Sequence, residues 1–199
     1  EIEALGGRVY LVPPYKNLFS HIWSTYKIFK ENKYQIIHAF DNTLNIFPMF
    51  AGWLAGVKIR ISESISKGDK SEKKTKVKLL LRPFSHCFAT NFMANSIDCG
   101  IWQFGKKAYQ DGKINIFKTV INADDNAYNA ELREETREKF GLSHNVVYGF
   151  IGRYVEQKNP LFLIDIFKEI LNRQESARLV MIGFGGLKNE MHDKIKEYG

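Results

Sequence analysis

The sequence predicts an α/β protein built on parallel sheets, and three observations carry that prediction. Strand-length apolar runs alternate with helical-period segments along the chain, a pattern that needs crossover helices between parallel strands. Val146 to Ile151 is an unbroken apolar run, as expected of a strand buried on both faces of such a sheet. Gly152 then lets the chain turn, and Asn159-Pro160 reads as the N-cap and first position of a helix. In that helix Leu163, Ile164, Phe167, Ile170 and Leu171 recur at helical spacing.

The other elements follow in order. Arg8 to Pro13 reads as a strand that Pro13-Pro14 stops. Over Asn17 to Lys30, Leu18, Ile22, Tyr26 and Phe29 mark one helical face. Tyr34 to Phe40 is the next strand, and Asp41-Asn42 offers a cap for a helix through Ala55 that Pro48 should kink and Gly56 should close. Val57 to Ser62 is a strand, Ser62 to Lys70 a polar loop, and a helix runs from about Ser71 to Leu81. Phe84 to Thr90 reads as a short strand. Ser96 to Lys107 reads as a helix with Ile97, Ile101, Trp102 and Phe104 inward, and Lys113 to Ile121 as a last strand before a break. Asn122 to Asn129 has no periodicity and is the expected crossover between two domains, 1–123 and 124–199. Glu131 to Phe140 is a charged helix stopped by Gly141, Leu179 to Ile182 a strand, and Gly183-Phe-Gly-Gly186 a turn. Leu187, Met191 and Ile195 form one apolar stripe on the helix that follows, where Glu190 and Glu197 are surface residues.

Composition narrows the class. A hydrophobic content of 44% against 26% charged residues is that of a globular protein able to bury a core. No apolar run approaches the ~18 residues that span a bilayer, and no signal-peptide pattern opens the chain. The expected location is cytoplasmic. Cys87 and Cys99 lack metal-type spacing and read as plain buried thiols. The net charge of +7 concentrates between Lys58 and Arg82, with Lys67, Lys70, Lys73, Lys74, Lys76 and Lys78 set against Glu63, Asp69 and Glu72. Such a run is a solvated helix face or a patch for anions, and with exposed aromatics around Phe19, Trp23 and Trp53 it suggests peripheral contact with an anionic membrane at its inner face. No nucleic-acid motif and no aromatics interleaved with the cations support a nucleic-acid partner.

Candidate chemistry gathers at the carboxyl ends of strands, where open α/β sheets collect ligands. Arg153 and Lys158 lie between a strand's end and a helix's start, where free backbone N–H groups and the helix dipole favour an anion. They read as a diphosphate clamp or as solvated loop charges. Gly183, Gly185 and Gly186 could bring backbone close to a nucleotide at a second strand end, or form a tight turn. His38, Asp41 and Asn42 fall at the end of the Tyr34–Phe40 strand, where a histidine could orient a sugar or phosphate or could bond a neighbouring loop.

Gly152-Arg153-x4-Lys158 after a buried strand resembles the opening of the second domain of retaining GT-B glycosyltransferases of the glycosyltransferase-4 type. Gln157-Lys-Asn-Pro-Leu-Phe-Leu-Ile-Asp-Ile-Phe-Lys-Glu-Ile170 is similar to capsular and exopolysaccharide members, as are Phe104-Gly-Lys-Lys-Ala-Tyr109 and Val120-Ile-Asn-Ala-Asp124. The resemblance covers nearly the whole chain. It implies a GT-B-like fold: most of an N-terminal, acceptor-side Rossmann-like domain and the opening βαβα of a nucleotide-sugar-binding domain. A Gly-rich unit would precede Glu1, and the chain would continue past Gly199 into an acidic Glu-x7-Glu motif. The implied function is transfer of a hexose, with retention, from a nucleotide-diphosphate sugar as co-substrate to a lipid-linked or polysaccharide acceptor. The implied donor residues are Gly152, Arg153, Lys158 and Gly185, with Arg153 and Lys158 catalytic; no metal or other cofactor is implied. At the acceptor-side edge the candidates are His38, Asp41, Asn42 and Glu63.

Two positions depart from the family pattern. Arg60-Ile-Ser-Glu63-Ser-Ile65-Ser66 stands where relatives commonly read Arg-Ile-x-His-Ser-His-Ser. A carboxylate near a diphosphate repels it unless cations screen it, and isoleucine donates no hydrogen bond. Hence the alternative expectation of an inactive remnant that binds a nucleotide or acceptor without transfer. An oxidoreductase reading lacks the G-x-G-x-x-G turn and the acidic ribose reader it would need.

Overall fold

The computed structural model describes residues 1–67 and 75–198, which form two compact units divided between Ile121 and Asn122. The first unit contains, in order, α1 (Leu18–Glu31), β1 (Ile36–Ala39), α2 (Ile46–Ala55), β2 (Ile59–Ser64), α3 (Thr75–Leu81), β3 (Asn91–Ala94), α4 (Ile97–Phe104), α5 (Lys106–Gln110) and β4 (Ile114–Ile116). Its strands form one parallel sheet in the order β1-β2-β3-β4.

The register sorts side chains between the two faces. Ile37 and Ala39 pack with Met49 and Val57, and Phe92 and Ala94 pack with Cys99 and Phe104. These residues share the face that carries α2 and α4. Because a strand alternates its side chains, His38, Ile61 and Glu63 project from the opposite face.

Several sequence expectations need correction. Arg8 to Pro13 is not a ladder strand; it finds no strand partner among the described residues, and Leu11 is 96% exposed. Asp41 does not cap α2. A 3-10 turn over Asn42–Asn45 comes first, so Pro48 lies in the first turn of α2, where its missing N–H costs nothing and no interior kink arises. Phe84 to Thr90 is not a strand. A 3-10 turn over Arg82–Phe84 holds Pro83, Ser85 Oγ donates to the carbonyl of Arg82, and the ladder starts only at Asn91. Gly105 splits the expected Ser96–Lys107 helix in two, with Ser96 Oγ accepting from Cys99 N–H as the N-cap of α4. This sets the buried face at Cys99, Gly100, Gln103 and Phe104, and turns Ile97 outward. The last strand is only three residues long, and Phe117 makes the final bond to Ala94 before Val120 and Ile121 run exposed. Cys99 is buried but Cys87 is exposed. Ser71 to Lys74, with Gly68, Asp69 and Lys70, lie outside the described residues.

The second unit contains α6 (Ala130–Lys139), β5 (Val146–Ile151), α7 (Pro160–Leu171), β6 (Ala177–Ile182) and α8 (Lys188–Tyr198). β5 and β6 pair in parallel from Val146 opposite Ala177 to Ile151 opposite Ile182. Tyr154, Ile164 and Met191 form its core, with Phe150, Leu161, Met181 and Leu187 around them. β5 is therefore not buried on both faces: Phe150 packs inward, whereas Ile151 is 82% exposed, because within this unit no described layer covers the far side of a two-stranded sheet. Asn159 does occupy the N-cap position of α7 before Pro160, but in left-handed conformation (φ 46°) and without a side-chain cap bond. Asp165 of α7 accepts from Lys194 Nζ (2.6 Å) and from the Tyr198 hydroxyl of α8, and these donors hold its carboxyl below the usual range.

Tyr15 packs against the start of α1 and α2, its ring 4.3 Å from that of His21 and 5.7 Å from that of Phe47. Burial, and the Asp41 carboxylate that its hydroxyl bonds, push its pKa up to about 12. The unfolded chain gives up this proton near pH ~10, so Tyr15's stabilisation is complete below that value and is lost as pH rises toward 12. Urea midpoints of Tyr15→Phe should therefore fall less steeply than those of the wild type across this alkaline range.

Candidate functional site

Each unit presents its own carboxyl edge. In the first, the organising group is Asn45, which is fully buried. Its Nδ2 lies 2.9 Å from the Ala39 carbonyl, 3.0 Å from Ser62 Oγ and 2.9 Å from the Glu63 carbonyl. Its Oδ1 accepts from Asp41 N–H at 2.6 Å. The ends of β1 and β2 are thus tied through one amide. Asn95 extends the seam by donating from Nδ2 to the Ile65 carbonyl at 2.7 Å.

The four sequence candidates on this edge prove to be differently engaged. Asn42 sits in left-handed conformation (φ 54°), and its Oδ1 accepts from Ile65 N–H (3.0 Å) and Ser66 N–H (3.2 Å). Its role here is to hold the loop after β2. Asp41 is committed to Asn45 through its N–H and to Tyr15 through its carboxylate. Glu63, at 9% exposure, meets His38 Nε2 at 2.7 Å, and their shared face and neighbouring strands account for the pairing. His38 is partly exposed, and its ring contacts an acid through Nε2 alone. Lys67 pairs with Asp98 at 2.7 Å, while Lys70, Lys73 and Lys74 lie outside the described residues. Sequence reasoning missed Asn45, Tyr15 and Asn95. An asparagine set between Leu44 and Ile46 was the available signal, because a polar residue inside an apolar run is a candidate buried bond-maker.

In the second unit the loops after β5 and β6 bind each other through backbone. Gly152 N–H donates to the Ile182 carbonyl (3.0 Å), Tyr154 N–H to that of Phe184 (2.8 Å) and Leu187 N–H to that of Tyr154 (3.1 Å). A Cβ on Gly183 would lie 1.8 Å from the Gly152 carbonyl oxygen, and one on Gly185 would lie 2.3 Å from that of Tyr154. These glycines are thus required by loop-to-loop contact before any ligand is considered. Tyr154, which sequence reasoning also missed, is buried beneath them with its hydroxyl donating to Met181 carbonyl at 3.1 Å. Arg153 and Lys158 flank this plug on the same loop; both are exposed and neither forms an ion pair among the described residues. Among the described residues, no cluster of three or more His, Cys, Asp or Glu is placed to hold a metal ion.

Comparison with known proteins gives this geometry a context. The chain is 26% identical over 204 residues to EpsF of Bacillus subtilis, a candidate glycosyltransferase, covering 99% of the chain and 53% of that protein. It is also 26% identical over 198 residues to the UDP-Gal:alpha-D-GlcNAc-diphosphoundecaprenol alpha-1,3-galactosyltransferase of Escherichia coli, covering 96% of the chain and 50% of the enzyme. Among solved structures, Anabaena Alr3699/HepE in complex with UDP-glucose matches 97% of the chain and 52% of its own length, with a TM-score of 0.77 at 16% identity. The fold is that of GT-B glycosyltransferases. No protein-family model matches the chain. The chain spans about half the length of the curated relatives it matches.

Two substitutions test the two edges. Asn45→Ala strips partners from two strand ends and should cost about 1–3 kcal/mol in urea unfolding. Gly183→Ala places a methyl inside a backbone contact and should destabilise the second unit by at least about 1–3 kcal/mol, read from amide exchange protection in β5 and β6.

Proposed function

We propose that the protein is a retaining, metal-independent glycosyltransferase that moves a hexose from a nucleotide-diphosphate sugar to a lipid-linked or polysaccharide acceptor in cell-surface polysaccharide synthesis. The observation that carries this reading is the pair of exposed, unpaired cations, Arg153 and Lys158, between the end of β5 and the start of α7 in a chain related along its whole length to glycosyltransferases. Reaction at the anomeric carbon expels a nucleoside diphosphate. Positive charge fixed where negative charge develops lowers that barrier without reorganisation. The first turn of α7 adds N–H groups and a positive dipole end at the same place. On this reading residues 1–123 bind the acceptor and residues 124–199 begin the donor domain.

Arg153→Ala should lower kcat/KM for transfer by roughly 10²–10³-fold, about 2.7–4 kcal/mol, with a similar loss in Lys158→Ala. The assay is release of nucleoside diphosphate across a panel of nucleotide sugars, run with and without EDTA, with the product's anomeric proton coupling read by NMR. Undiminished turnover in Arg153→Ala removes the electrostatic assignment. Dependence on a divalent ion, or an inverted product, removes those parts of the reading. Binding of a nucleoside diphosphate without turnover of any donor identifies an inactive binding protein instead.

A lipid-linked acceptor also requires access to a membrane surface. No helix of the described residues is long and apolar enough to cross a bilayer. α1 instead exposes Phe19 (92%) and Trp23, with Trp23 stacked on Tyr26 and Lys27 Nζ 5.5 Å from its ring centre. Aromatic rings beside lysines suit the headgroup region of an anionic bilayer. We expect flotation with vesicles containing anionic lipid, loss of flotation in Phe19→Ser/Trp23→Ser, and little binding to neutral vesicles. Equal binding to both vesicle types would remove the electrostatic component.

A further inference from the structure

Glu63 is the residue whose chemistry least suits the end of a strand facing a diphosphate, and the structure gives it a different task. A nearly buried carboxylate is costly without a partner. Among the described residues Glu63 has one charged or chargeable partner, His38 Nε2 at 2.7 Å. The exposure is unequal: 12% of the Glu63 side chain against 37% of that of His38. A carboxylate only accepts, so a contact this short suits a ring that carries a hydrogen on Nε2. In the neutral ring Nδ1 is then bare and able to accept. No described group bonds Nδ1, and the Phe40 ring stands edge-on with its centroid 5.6 Å away, restricting the imidazole from one side.

We propose that Glu63 is a positioning residue that holds His38 in one tautomer and orientation, so that Nδ1 accepts a hydrogen bond from a hydroxyl of the sugar acceptor. This rests on the proposed transferase function. It also reverses the expected effect of the Glu63 departure, because a carboxylate covered by an imidazole is not presented to a donor phosphate. The ligand class follows from the donor and acceptor count: a bare ring nitrogen accepts from a hydroxyl, and the neighbouring Glu63 carboxyl offers nothing to attract an anion.

The test separates this role from a structural one. Glu63→Leu and His38→Ala should each raise the acceptor KM about tenfold with the donor KM unchanged, roughly the worth of one hydrogen bond. The double variant should be no worse than either single, since the residues act as one unit. Glu63→Gln keeps an oxygen that can accept from Nε2–H, keeps the shape of the site, and should restore most of the acceptor KM. Tighter donor binding in Glu63→Leu would mean that the carboxylate faces the diphosphate, and additive losses would mean that the residues act separately; either overturns the proposal. Independently of turnover, nitrogen NMR of histidine-labelled protein should show His38 protonated at Nε2 and bare at Nδ1, with a mixture of tautomers in Glu63→Leu. Identical spectra overturn the dyad. Absence of transfer by the wild type removes the proposed function itself, and the nitrogen spectrum then decides the dyad alone.

Discussion

A buried amide is costly unless its polar atoms find partners, and Asn45 finds all of its own only because β1 and β2 end side by side. Its donors and acceptor reach the carbonyls of Ala39 and Glu63, the hydroxyl of Ser62 and the N–H of Asp41. The rest of the first unit's edge depends on that arrangement. Asp41, held by its N–H, brings its carboxylate to Tyr15. Asn42, forced into a left-handed turn one residue later, captures the backbone of Ile65 and Ser66. The edge is therefore rigid because its side chains bond backbone, and His38 and Glu63 inherit fixed positions from it.

The second unit meets the same demand without side chains. Its two strand-end loops satisfy each other's backbone groups directly, which requires an approach closer than any Cβ allows at Gly183 or Gly185. Tyr154 seals the contact from below. Arg153 and Lys158 stand exposed on the first of these loops. The close approach of the two loops is by itself sufficient to require glycine at Gly183 and Gly185.

What the sequence made legible follows the physics of each signal. Helices with a clear apolar stripe, or with a start or stop residue, were readable: α1, α6 ending before Gly141, and α7 starting at Pro160 all lie close to expectation. Parallel strands were harder, because a strand is defined by its partner. Arg8 to Pro13 has the composition of a strand and no ladder among the described residues, while Asn91–Ala94 has a ladder and weak β composition. Continuous apolarity predicted burial of β5 on both faces, but burial depends on neighbouring layers that no local pattern encodes. At the site, the exposed cations were legible as residue types in a turn. Asn45 and Tyr154 were not, since their importance lies in bonds to residues distant in sequence.

The departure at Glu63 shows why a motif read one position at a time misleads. His38 and Glu63 lie on adjacent parallel strands, and the register with strand alternation puts both on one face. A carboxylate introduced there is answered by a residue 25 positions earlier, as the two numbers themselves show. The same holds for the other described acids of this edge: Asp41 is bonded to Tyr15 and Asp98 to Lys67. Each of these described acids has a partner inside the first unit, whereas Arg153 and Lys158 form no ion pair with a described acid. Positive charge left uncompensated on a rigid loop at a helix start is stable only because water solvates it, and a diphosphate can replace that water. Among the described residues the two edges therefore differ in charge balance, and that difference is the physical ground of the proposed division between them.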